Sequence, residues 1–277
     1  MTWNLEPHVA LEIFEEMLAE THVDIFFDVQ LASVEMNADP QWYIESLTAT
    51  NGDVFKGRVF IEGSYEGDLV AMANVTLTMG REAKAQYNES LAGRTAGAKS
   101  NQFDLAINPY DSTGALLPLI QPSDGVSTEG AADKKITAYN FRLCVTRNRS
   151  NLVPFAKPSA YNSSTWELLR RYIAACTAGS GTARKGCQLG YPSCNTQPVP
   201  KGKFDMNNCG GISSDFIGAS WAYPMATPAA RRAIWTQHRD YVQVRICFSE
   251  RIGVALQWRA SSHLWLCNCK LMATTFF

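Results

Sequence analysis

The chain has 277 residues, 46% of them hydrophobic and 18% charged, with a net charge of −1. That balance is globular and excludes a disordered chain, while 19 Gly and 12 Pro exclude a collagen-like or low-complexity one. One or two domains are expected at this length; no apolar run approaches the roughly 18 residues of a membrane span, and near-neutrality supplies no overall field to recruit nucleic acid.

Glu6 to Glu20 reads as a helix. Val9, Ile13, Phe14 and Met17 recur at helical spacing, and Pro7 suits the first turn. The same stretch lacks the basic start and continuous apolar run of a secretory leader, and it is too acidic for a transit peptide. As written, the chain is therefore expected in the cytosol. Val23 to Phe27 is a short apolar run that reads as a strand. Val29 to Met36 alternates, Tyr43 to Thr48 makes a further strand, and Asn51-Gly52 signals a hairpin turn. Val54 to Ile61 returns as a buried strand.

That strand runs into Glu62-Gly63-Ser64-Tyr65-Glu66-Gly67-Asp68. Two glycines at the end of a buried strand let the backbone approach something closely. A short helix is expected over Leu69 to Ala73, then short strands and loops through residue 160, including Ala138 to Val145. Ser164 is expected to cap a helix reaching Cys176, with Trp166, Leu169, Tyr172 and Ile173 on one face. Residues 177–226 are rich in Gly, Pro, Ser and Asn and read mostly as loop. Thr227-Pro228 opens a helix reaching about Gln243. From Val244 to Phe277 there is neither a clear period nor a cap. That tail is expected to lie outside the designed fold, the other reading being a divergent folded tail.

Charge is unevenly placed. Eleven acidic residues precede the first base, Lys56, leaving fifteen acids against 25 bases in the remainder. Solvated faces account for such a pattern, as would a basic region that meets an anionic substrate or partner.

Eight cysteines stand at 144, 176, 187, 194, 209, 247, 267 and 269. Only Cys267 and Cys269 are close, so neither paired zinc spacing nor a ferredoxin-type run is present. Cys176, Cys187, Cys194 and Cys209 could form one or two disulfides. Four N-glycosylation acceptor patterns begin at Asn74, Asn88, Asn148 and Asn162. Together these lean toward a secretory-pathway parent protein.

Candidate chemistry is sparse. The nearest string to a dinucleotide fingerprint, Gly179-Ser-Gly181-Thr-Ala-Arg184, lacks the third glycine and follows a helix, so it reads as loop. There is no phosphate loop, no metal-binding histidine pair in one helix and no G-x-S-x-G elbow. His238 reads as a buried structural histidine or as a general base. Glu62, Glu66 and Asp68 read as a turn held by side-chain-to-backbone hydrogen bonds. If two met in a cleft, one raised pKa could serve acid–base work. The residues alone reach a soluble α/β domain whose glycine-rich strand end faces a nucleotide.

The block VFIEGSYEGDLVAMANVTLTMGREA, Val59 to Ala83, resembles FAD-dependent oxidoreductases of the glutathione-reductase-like flavoprotein family that are related to heterodisulfide reductase. Further blocks match in order: EPHVALEIFEEML from Glu6, NPYD from Asn108, AYNFRLC from Ala138, KPSAYNSSTWELLRRY from Lys157, KGKFDMNNCGGISSDFIG from Lys201 and RRAIWTQHRDYVQ from Arg231. The fungal members are the most similar.

The resemblance implies an α/β fold: a partial FAD-binding domain over residues 1–75, made of helix, strands and antiparallel meander without the first βαβ unit. An α+β substrate or cap region would follow over 76–243, and the atypical tail over 244–277. It implies FAD contacts at Val29, beside the adenine, and at Glu62, Gly63, Ser64 and Asp68 around the flavin-side turn. Hydride or electron transfer to an unknown small molecule is the implied chemistry, with neither nucleic acid nor a membrane span involved. The family's glycine-rich unit would precede Trp3, so a fragment inactive by itself is expected. Some members of the wider family carry a [4Fe-4S] cluster, which the cysteine spacing here does not support. A non-catalytic secreted module, binding carbohydrate through its many Trp and Tyr, is the competing expectation.

Overall fold

The computed structural model describes residues 6–38, 41–95, 103, 105–121, 129–146, 148–151, 153, 158–159, 161–178, 196–207, 210–251 and 265–266. They fall into two compact units, one of Phe14–Met79 and one of Met1–Ile13 with Gly80–Phe277.

Helix α1 (Pro7–Ala19) buries none of its residues. The unit of Phe14–Met79 is otherwise built on a three-stranded antiparallel sheet, β1 (Leu31–Asn37), β2 (Tyr43–Ala49) and β3 (Val54–Lys56), in that order. The short helix α2 (Asp68–Met72) follows it. The Asn51-Gly52 turn forms as expected. Gly52 has φ 93°, and the Asp53 N–H donates to Asn51 Oδ1 at 3.1 Å. Ser46 and Ala49 on the central strand are buried, and the Ser46 hydroxyl donates to Glu35 at 2.9 Å. Two strand expectations fail. Val23 to Phe27 joins no strand ladder among the described residues, and the third strand stops at Lys56 rather than Ile61. Strand propensity needs a partner ladder to become a strand; without one, Phe27 is 75% and Ile61 86% exposed.

The other unit carries an antiparallel sheet of order β5-β6-β4-β7, from β4 (Leu143–Thr146), β5 (Thr196–Val199), β6 (Lys203–Met206) and β7 (Trp265–Leu266). Helices α3 (Lys84–Tyr87), α4 (Glu167–Ala178) and α5 (Pro228–Arg251) belong to the same unit. Leu143, Val145 and Met206 of the sheet form one core with Leu169, Tyr172 and Ile173 of α4 and with Tyr241, Val242 and Val244 of α5. The β5–β6 hairpin lies within the stretch read as loop. It turns at Lys201 and Gly202, with φ 63° and 71°.

Three further differences concern local chemistry. The cap before α4 is Asn162, not Ser164: its Oδ1 accepts from the Ser164 N–H at 3.0 Å, opening a 3₁₀ turn (Ser163–Trp166) that leads into the helix. Helix α5 does not end near Gln243. It continues to Arg251, with Val244 only 5% exposed, and Trp265 and Leu266 pair with Thr146 and Val145. Cys144 and Cys176 are both disulfide-bonded; Cys187, Cys194 and Cys209 lie outside the described residues.

Several bases of the second unit are matched by acids. Arg142 pairs with Asp205, Arg81 with Asp133, and Arg170 and Arg171 with Glu167. The two Arg side chains hydrogen-bond Glu167 and hold its pKa down at about 2, chiefly through Arg170. Lys203 forms an ion pair with Glu6, and both side chains are nearly buried.

Candidate functional site

The turn that follows β3 is closed by its own side chains. Glu62 Oε1 accepts from the Ser64 N–H at 2.6 Å, Glu62 Oε2 from the Leu69 N–H at 3.0 Å, and Ser64 Oγ from the Gly67 N–H at 3.2 Å. One carboxylate thus satisfies donors in the turn and in the first turn of α2. The side-chain hydrogen bond with Ser64, joined by the backbone donors, holds the Glu62 pKa below the ordinary carboxylate value. This is the turn-stabilising reading of Glu62. The raised pKa that acid–base work would need is absent there.

Gly63 stands exposed between these bonds, and a Cβ built on it would meet nothing within 4 Å. Its exposed neighbours Ile61 and Tyr65 are apolar or aromatic. Asp68 occupies the first turn of α2, and Val29 is half-buried just before β1. Val29, Glu62, Gly63, Ser64 and Asp68 therefore all lie in the Phe14–Met79 unit.

His238 sits in α5 of the other unit and is 1% exposed. Its Nδ1 lies 2.8 Å from the Ile234 carbonyl, and its ring packs 5.3 Å from Phe216 and 6.4 Å from Tyr139. Burial lowers its pKa, outweighing the backbone hydrogen bond. The ring is thus enclosed by its neighbours, and its burial disfavours the charged form.

Sequence reading missed a cavity of about 490 Å³ in this unit. Its described walls come from Phe103, Leu105, Ile107 and Pro109, Pro118 to Gln121, the 3₁₀ turn before α4 and the start of α4, Gly211 to Ile217, and Tyr241. Long-range polar contacts hold two of those walls. Arg171 of α4 donates to the carbonyls of Asn108 and Tyr110 at 2.9 and 2.8 Å, while Asp111 accepts from the Thr113 and Ala115 N–H groups. The NPYD block is thus a turn clamped onto a helix. The Gly80-Arg81-Glu82 string is structural as well. Gly80 has φ 95° and leaves no room for a Cβ against the Asp133 carbonyl, and Arg81 grips the Asp133 carboxylate through two nitrogens.

Residues 1–262 match the model of a family described as FAD dependent oxidoreductase. The chain belongs to that family. The family match passes through position 243 and takes in the remainder of α5, so the start of the expected tail is family sequence as well as folded helix. No curated protein and no solved structure matches the chain. For a member of the FAD dependent oxidoreductases the implied cofactor is FAD, which supplies hydride and electron transfer when bound. The surface at Gly63 is open. It is flanked by exposed apolar side chains, and the Glu62 charge is turned onto the turn's own N–H groups. Among the described residues no group of three His, Cys, Asp or Glu side chains stands together to hold a metal.

Proposed function

We propose that the chain is the part of an FAD-dependent oxidoreductase that carries the flavin-side turn and a substrate region, and that these 277 residues do not turn over a substrate by themselves. The observation that carries the family reading is the match over residues 1–262. Val29 is assigned to the adenine end of the cofactor, and Glu62, Gly63, Ser64 and Asp68 to the flavin end. In this reading Glu62 and Ser64 shape the turn, and Gly63 leaves the surface on which the flavin rests. Tight pyrophosphate binding needs a glycine-rich fingerprint, and the sequence contains none. Weak FAD binding is the consequence.

Equilibrium dialysis of the chain against FAD, paired with a dye-reduction assay, tests this. Saturable but weak binding without turnover is expected. Gly63→Val should weaken that binding further, whereas Asp68→Asn should change it little. Stoichiometric FAD with dye turnover would overturn the inactive-fragment reading while leaving the family intact. Identical FAD binding by the wild type and Gly63→Val would remove the turn from the cofactor site.

A further inference from the structure

We propose that the cavity in the Gly80–Phe277 unit is a preformed binding site for a neutral, flat and largely apolar small molecule. Its volume of about 490 Å³ falls within the range of sites that enclose small organic ligands. Leu, Ile and Pro side chains make up most of the described wall, joined by four aromatic rings, Phe103, Trp166, Phe216 and Tyr241, that are held by ring contacts. Phe216 and Tyr241 stack at 4.1 Å with planes 7° apart, Trp166 lies 5.0 Å from Tyr241, and Phe103 meets Tyr172 edge-on at 5.4 Å. Rings held this way need little reordering when a ligand enters, so less of the contact energy is lost to ordering.

The backbone is shaped to let these walls close. A Cβ on Gly211 would stand 2.7 Å from the Phe103 ring, so that ring lies flat against a glycine. A Cβ on Gly218 would stand 2.7 Å from the Gln121 side chain, whose amide lies 3.4 Å from the Ile217 carbonyl.

Polarity selects the ligand class. The Tyr241 hydroxyl is already spent on the Ser213 carbonyl at 2.8 Å, and Ser213 Oγ accepts from the Asp215 N–H at 2.8 Å. These groups turn their hydrogen bonds into the protein and leave ring faces for the guest. The described lining contains no Lys, Arg or His, and its one ionisable acid is Asp215. An anionic guest would give up its hydration and meet no cation among the described lining residues, whereas a neutral molecule has no charge to desolvate. The site does not depend on the flavin assignment, because every lining residue belongs to one unit and none is a proposed FAD contact.

Three probes test the proposal on the full chain: the neutral dye Nile red, the anionic dye anilinonaphthalene sulfonate, and a neutral benzophenone photolabel mapped by peptide mass spectrometry. One Nile red should bind per chain, more tightly than the anionic dye, and the photolabel should map to residues 103–121, 165–169, 211–217 or 241. Ile120→Trp fills the cavity and should weaken Nile red by about tenfold, with the circular dichroism unchanged. Should that variant not fold, Gly211→Ala is the second probe, since it must displace the Phe103 ring. Preferential binding of the anionic dye would overturn the proposal. So would photolabel found only on exposed apolar residues such as Phe14 or Phe27, or Nile red binding left unchanged by a folded filling variant.

Discussion

Burial disfavours the protonated form of His238 in the fold, and that bias is lost once the chain unfolds. Burial lowers its pKa from 6.5, so between that value and the folded pKa the unfolded state binds more protons. Stability should therefore fall as pH drops through about 6.5, and stop responding to this group below its folded pKa. Thermal unfolding between about pH 7.5 and pH 5 checks this: His238→Phe should flatten the dependence in that window. Glu62 has the opposite sign. Its pKa lies below 4.5 in the fold, so its contribution is complete above that value and is lost as pH falls through the folded pKa. Removing its two backbone contacts by Glu62→Ala should cost about 1 kcal/mol, as loss of a helix cap does. Denaturant unfolding followed by amide exchange of Leu69 would report it.

Among elements, the start of α1 is tied to β6 by the Glu6–Lys203 pair. Breaking a nearly buried pair from one side strands a charge, so Lys203→Met alone should destabilise by about 3 kcal/mol. Adding Glu6→Gln removes the stranded charge and should recover much of that loss in a double-mutant cycle. Helix α5 is the other decisive element, because its far part enters the core through Val244. Val244→Ala should cost about 2 kcal/mol, measurable by urea unfolding. An end of the fold at Gln243 would instead make that change neutral. The beginning of α5 was legible because Thr227 and Pro228 are local signals, and the Thr227 hydroxyl does accept from the Ala230 N–H at 3.3 Å. Its continuation was not, because Val244 is buried by strands and a helix distant in sequence.

At the scale of the whole molecule, the two units differ in what holds them. Cys144 and Cys176 place disulfide bonds in the β4 and α4 part of the larger unit, while no cysteine occurs in Phe14–Met79. A reductant should lower the unfolding midpoint of the larger unit, by the roughly 2–5 kcal/mol typical of a lost native disulfide. It should leave amide protection of β1 to β3 unchanged. Equal loss of protection in both units would show that they unfold as one.

Local signals determined much of the framework. Helical spacing placed α1, Asn51-Gly52 placed the hairpin, and the ordered blocks from Glu6 to Gln243 pointed to the FAD dependent oxidoreductases. Each depends on residues near one another in the chain. Only the tertiary structure decided that Val23 to Phe27 is no strand, that Thr196 to Met206 is a hairpin, and that His238 is enclosed. A ladder needs a partner and burial needs a neighbour, and for β4 the partner is β6, far along the chain. The cavity is the extreme case. Its walls come from segments spread between Phe103 and Tyr241, and no spacing in the sequence marks where their ring faces meet.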